Sequence, residues 1–146
     1  MKQLSLWMKI VGALYVANAF FLIATYLIPV LGEASVEARV PGADPANPLY
    51  DFALDTWLMF GLELLVLGGA LLIASRSAWT NRILAITVIA LELIRGIVDD
   101  AIWIASGYPS GAYVGWILFH GAVIVTGVLA LRRARAELPE KVAVLA

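Results

Sequence analysis

The residues best equipped for chemistry in this chain lie inside its most apolar stretches. Glu92, Arg95, Asp99 and Asp100 fall within "ELIRGIVDDAIW", residues 92–103. Glu63 lies in "MFGLELLVLGGALL", Asp55 precedes it in "YDFALDTW", and the single histidine, His120, sits in "GWILFHGAVIV". A guanidinium fork such as Arg95 suits a carboxylate, whether on a neighbouring helix or on an acidic ligand. A carboxyl group kept protonated can act as a general acid on an apolar substrate. Glu63, Glu92 and Asp99 outnumber the one Arg95. One carboxylate should therefore pair with the arginine, either Glu92 on its own helix or Glu63 across to it. Another must be protonated or matched by a second cation, and His120 is available.

Helical spacing decides where these groups point. At about 100° per residue, Glu92, Arg95 and Asp99 share one stripe, while Asp100 is turned roughly 80° from Asp99. A charge facing lipid at mid-bilayer costs about 2.5–3.5 kcal/mol even on insertion scales, so the stripe is expected to face other helices. By helical rise, Glu63, Glu92, Arg95, His120 and Asn18 should lie near one depth, with Asp55, Asp99 and Asp100 nearer the outer face. The competing reading is structural. Buried polar groups also lock membrane helices together, each link being worth only about 0.6 kcal/mol.

The elements that would hold these residues follow from composition. Among 146 residues 62% are hydrophobic and 14% charged, and mean hydropathy is +0.91. So few charges could not clothe a soluble core, which points to an integral membrane protein. A net charge of −1 with no basic stripe argues against nucleic-acid binding. Without cysteine there are no disulfides or thiolate sites. No phosphate-binding glycine loop, His-x-Glu metal cluster or Ser–His–Asp arrangement is present, so neither a metal nor a cofactor is expected.

Four apolar segments, about 6–31, 53–74, 83–106 and 112–131, reach the roughly 20 residues a spanning helix needs. Lipid offers the backbone no hydrogen-bond partners, and no segment alternates as barrel strands do. The expected fold is an all-α, antiparallel four-transmembrane-helix bundle forming a single domain over 1–131, with a basic tail at 132–146. Pro29 and Gly32 should end the first span, before a polar loop "GEASVEARVPGADPANPLYD". The first apolar run is too long for the roughly 7–15 residues of a signal-peptide core, so it reads as a span. Lys2, Lys9, Arg76, Arg82, Arg132, Arg133, Arg135 and Lys141 fall on one side, and only Arg39 on the other. This bias places both termini in the cytoplasm. Trp7, Trp57, Trp79, Trp103 and Trp116 lie near span ends, as interfacial belts do, although Trp57, Trp103 and Trp116 stand beside the aspartates and could also wall a pocket. Gly61, Gly68, Gly69, Gly96, Gly121 and Gly127 suit close helix packing.

The stretches "YDFALDTWLMFGLELLVLGGALL" (50–72) and "ELIRGIVDDAIWIASGY" (92–108) resemble the BphX-like family of small bacterial four-helix membrane proteins. The opening "WMKIVGALYVANAFF" and the ending "GVLAL" fit as well. This resemblance implies a multi-pass location in a bacterial inner membrane and genes often placed near those for aromatic-compound breakdown, but no residue-level activity. The leading expectation is a protein that binds or carries a small hydrophobic or aromatic molecule, alone or as a homo-oligomer in the bilayer. Asp55, Asp99 and Asp100 would form its mouth, and Glu63, Glu92, Arg95 and His120 its polar floor. The alternatives are an isomerase- or cyclase-type membrane enzyme using Glu63 or Glu92 as general acid, a proton-linked transporter, and a structural or assembly protein.

Overall fold

A computed structural model describes residues 1–39 and 42–138; Val40, Pro41 and residues 139–146, including Lys141 of the basic tail, lie outside the described residues. Among the described residues the chain is all-α. Helix α1 covers Lys2–Leu27, α2 Pro29–Arg39 and α3 Pro48–Ala74, followed by a 3₁₀ turn at Ser75–Ser77. Helix α4 (Arg82–Leu91), a π segment (Glu92–Val98) and α5 (Asp99–Ala105) run on from one another, and α6 covers Ser110–Ala136.

Three helical stretches, Lys2–Leu27, Tyr50–Ser77 and Ser110–Ala136, are long and apolar enough to cross a membrane. The expected third span does form a helical run, Arg82–Ala105. It is divided by the π segment and carries five charged residues, Arg82, Glu92, Arg95, Asp99 and Asp100, and it does not join those three.

Two boundaries differ from the sequence reading. The first span ends at Leu27, and Pro29 opens a new helix instead of closing the old one. Proline is well suited to that first position, because its missing N–H would have no intrahelical partner there. Gly32 is inside α2, and a Cβ on it would come within 2.7 Å of the Thr25 carbonyl oxygen. The segment expected to be loop is thus helical as far as Arg39, and Val36 is buried in it at 3% exposure. Its Ala and Glu content favours helix, which its polarity concealed. At the other end α6 continues to Ala136, so Arg132, Arg133 and Arg135 ride on a helix.

The chain forms two compact units: Met1–Val11 with the chain from Leu71 onward, and Gly12–Ala70. In the first, α6 packs along α4, the π segment and α5. A Cβ on Gly127 would meet Ile89, and one on Gly96 would meet His120, so the two runs are antiparallel. Gly127 also makes room for Trp7, whose indole Nε1–H donates to the Val123 carbonyl at 3.2 Å. Trp7 is therefore an anchor at 6% exposure and not part of an interfacial belt. Ser5 Oγ donates to the Ser75 carbonyl at 2.7 Å, Arg133 Nη1 to Gln3 Oε1 at 3.0 Å, and the Met1 ammonium pairs with Glu137. The start of α1, the turn after α3 and the end of α6 share one end of this unit.

In the second unit α1 and α3 lie antiparallel and close. A Cβ on Gly68 would fall 2.7 Å from the Gly12 carbonyl oxygen, and one on Gly61 3.1 Å from Leu22 Cβ. The two glycines are seven residues apart and so present one face, as small residues do at membrane-helix interfaces. Tyr15, Ala19, Leu22 and Thr25 form the buried face of α1 here. Phe20, Phe21, Met59 and Val66 are more than half exposed on these helices. Large apolar side chains turned outward at this density suit lipid rather than water.

Candidate functional site

The π segment sets the geometry of the charged helix. The Asp99 N–H reaches the carbonyl of Ile94, five residues back, as well as that of Gly96. A turn closed from i to i+5 holds more residues than the 3.6 of an α-helix. Positions four apart therefore come nearer to alignment, and positions three and seven apart leave it. Glu92, Gly96 and Asp100 turn toward α6: Glu92 is 4% exposed, Gly96 is buried and Asp100 is half-buried.

His120 of α6 meets all three. Its Nδ1 lies 2.5 Å from Glu92 Oε2, and its Nε2 lies 3.8 Å from Asp100 Oδ2. A Cβ on Gly96 would stand 2.6 Å from that same Nδ1. Only glycine lets the imidazole settle against the backbone of the π segment. Nδ1–H donates to Glu92, which fixes the ring's orientation and directs Nε2 at Asp100. At 3.8 Å that second approach is too long for a hydrogen bond. Asp100 Oδ2 is buried without a hydrogen-bond partner.

This corrects the expected stripe. At α-helical spacing Glu92, Arg95 and Asp99 would have faced inward together, with Asp100 turned aside. The wider π turn exchanges the two aspartates, so that Asp100 joins Glu92 at His120 while Asp99 and Arg95 are exposed. Arg95 and Glu63 are each engaged in an interaction. Asp55 and Glu63 are exposed positions of α3 in the other unit. Of the seven candidate residues, Glu92, Asp100 and His120 form one cluster.

Aromatic rings flank it. Trp116 and Phe119 stand edge to face at 5.7 Å, and lie 6.1 Å and 5.6 Å from the His120 ring. Farther along the hairpin, Trp103 packs edge-on to Tyr108 at 4.6 Å and parallel to Tyr113 at 6.3 Å. Gly107, at φ +91°, supplies the left-handed turn that brings Tyr108 back over Trp103. Trp103 and Trp116 were recognisable in the sequence as wall candidates, but Tyr108, Tyr113 and Phe119 were not. Their only signal was proximity to His120 and to a four-residue turn.

Chemically, the cluster can hold a proton on an imidazole between two carboxylates. It can also offer Nε2 and Asp100 Oδ2 jointly to a small polar group. An oxygen about 2.8 Å from each would sit to one side of the line joining them. No three His, Cys, Asp or Glu residues among those described are grouped to hold a metal ion; here the two ring nitrogens face opposite carboxylates.

No curated protein and no solved structure matches the chain. The model of one family, described as BphX-like, matches residues 1–136. That match takes in every helix and the whole cluster, and the chain belongs to the BphX-like family.

Proposed function

We propose that the protein crosses a bacterial inner membrane four times, antiparallel and with both termini cytoplasmic, and binds or carries a small aromatic molecule bearing a hydroxyl group. The observation that carries this reading is the orphaned Asp100 Oδ2, buried opposite His120 Nε2. A buried acceptor without a partner costs about 1–3 kcal/mol, more if it is charged, so a group that satisfies it is rewarded. A phenolic O–H donates to Asp100 Oδ2, and with both ring nitrogens protonated Nε2–H donates to the phenolic oxygen. The ring of such a ligand finds Trp116 and Phe119 beside it, with aromatic pairs worth about 0.5–1.5 kcal/mol beyond area burial. Family membership points the same way through its implied link to aromatic-compound breakdown.

The test is a tryptophan-fluorescence titration of the full chain in detergent with phenol, and with toluene as the analogue lacking the hydroxyl. Phenol is expected to bind at least about tenfold more tightly, the equivalent of ~1.4 kcal/mol. Asp100→Leu, which removes the acceptor, should abolish that preference and leave the fold intact. Equal binding of phenol and toluene, or an undisturbed preference in Asp100→Leu, overturns the reading.

A second reading has its own support. The 2.5 Å Glu92–His120 bond and the fit of Gly96 describe a helix lock, and the clefts at Glu33–Tyr50 and at Lys2–Thr80 are lined by other residues. On that reading His120→Gln lowers the unfolding temperature, and no aromatic probe changes it. The general-acid alternative has less behind it, because Glu92 Oε2 is engaged by His120.

A further inference from the structure

Away from this cluster, the first unit carries an open groove of about 550 Å³ between the start of α1 and the turn after α3. Lys2, Lys9 and Arg76 line it, Ser77 and Thr80 add hydroxyls, and no carboxylate is among its lining residues. Lys2 and Lys9 are seven residues apart and share a face of α1. The bond from Ser5 to the Ser75 carbonyl, at 2.7 Å, ties the two walls together. Trp79 is fixed beside it by Arg82, whose guanidinium carbon stands 4.8 Å over the indole ring and whose Nη1 donates to the Trp79 carbonyl at 3.4 Å.

We propose that this groove is a headgroup site for an anionic phospholipid, a reading that rests on the chain being a membrane protein. Three cations and two hydroxyls without a carboxylate match a phosphodiester. Position favours a lipid over a free anion, because the groove lies at the ends of two membrane-length helices, Lys2–Leu27 and Tyr50–Ser77. From the groove, Leu6 and Ile10 form an apolar ridge along α1, 57% and 52% exposed, on which an acyl chain can lie. Basic pockets between spanning helices on the cytoplasmic side take anionic lipid headgroups in this way. A zwitterionic headgroup brings a cation of its own, which the three basic residues repel.

The full chain in a neutral detergent is titrated with dioctanoyl phosphatidylglycerol, dioctanoyl phosphatidylcholine and glycerol 3-phosphate, with binding read by native mass spectrometry. Phosphatidylglycerol is expected to bind at least about tenfold more tightly than either competitor, and to weaken as salt is raised. Lys9→Gln/Arg76→Gln should lose most of that preference, while Arg132→Gln/Arg135→Gln, which removes the same charge from exposed positions of α6, should keep it. Equal losses in the two variants mean general surface charge and overturn the site. Glycerol 3-phosphate binding as well as the lipid overturns the lipid assignment. If the groove variant does not fold, the wild-type comparison still decides: phosphatidylcholine binding equally well overturns the proposal. Washing membranes with alkaline carbonate separates the two readings. A chain released by the wash is not an integral membrane protein, whereas a retained chain without lipid preference sinks the headgroup site alone.

Discussion

Asp99 and Asp100 are adjacent and chemically identical, yet one is exposed and the other lies 3.8 Å from His120 Nε2. What separates them is backbone winding, and the approach of His120 to that backbone depends on a residue with no side chain. Gly96→Ala places a methyl where the His120 ring lies. Overpacking of this kind typically costs about 1–3 kcal/mol, and thermal unfolding in detergent should show the loss. The clash is specific, so His120→Ala should absorb most of it. In a double-mutant cycle the pair is expected to be more stable than the sum of the single losses predicts. Strict additivity would mean that the glycine serves the π backbone alone. At this scale the sequence was only partly legible. A charge count left one carboxylate in need of a partner, and His120 does sit on Glu92. Which aspartate would join them was hidden, because 3.6-residue periodicity was assumed where a wider turn occurs.

Among the elements, α6 is the common partner of the charged run, and glycines set how near its neighbours come. Trp7 shows how little composition says about such a contact. A tryptophan near a span end reads as interfacial, but Gly127 opens a slot for it and the Val123 carbonyl accepts its N–H. Trp7→Phe drops the donor and the pyrrole half of the indole, so a loss of at least about 0.5–1.5 kcal/mol is expected, measurable by chemical or thermal unfolding. A Trp7→Phe protein as stable as the parent would show that packing alone holds α1 there. The apolar helices were legible because lipid demands long uninterrupted runs. Helix α2 was missed for the converse reason: outside such a run, Glu, Ser and Pro suggest a loop. Only the burial of Val36 and the fit of Gly32 against the Thr25 carbonyl show otherwise.

For the whole molecule, charge distribution is the strongest guide to orientation. Lys2, Arg76 and Arg133 gather at one end of the first unit, tied by the Ser5, Gln3 and Met1 contacts. Since the chain has no cysteine, single-cysteine variants give a clean topology assay. Ala46→Cys, beyond α2, should react with a membrane-impermeant thiol reagent in intact cells. Ser77→Cys should react only after the cells are opened. The opposite pattern would reverse the proposed orientation.

The π segment also bears on how this sequence tolerates insertions and deletions. A π turn is an α turn carrying one residue more, so deleting Ile97 should let the run from α4 to α5 close as plain α-helix. The remaining residues would then hold Glu92 and the present Asp100 seven positions apart, which α-helical geometry aligns without help. A deletion that rotates everything downstream in an ordinary helix is phase-neutral at this one place. The shortened protein should keep its imidazole between the same two carboxylates. Removing Leu84 instead, in the regular part of α4, would swing the entire run off register.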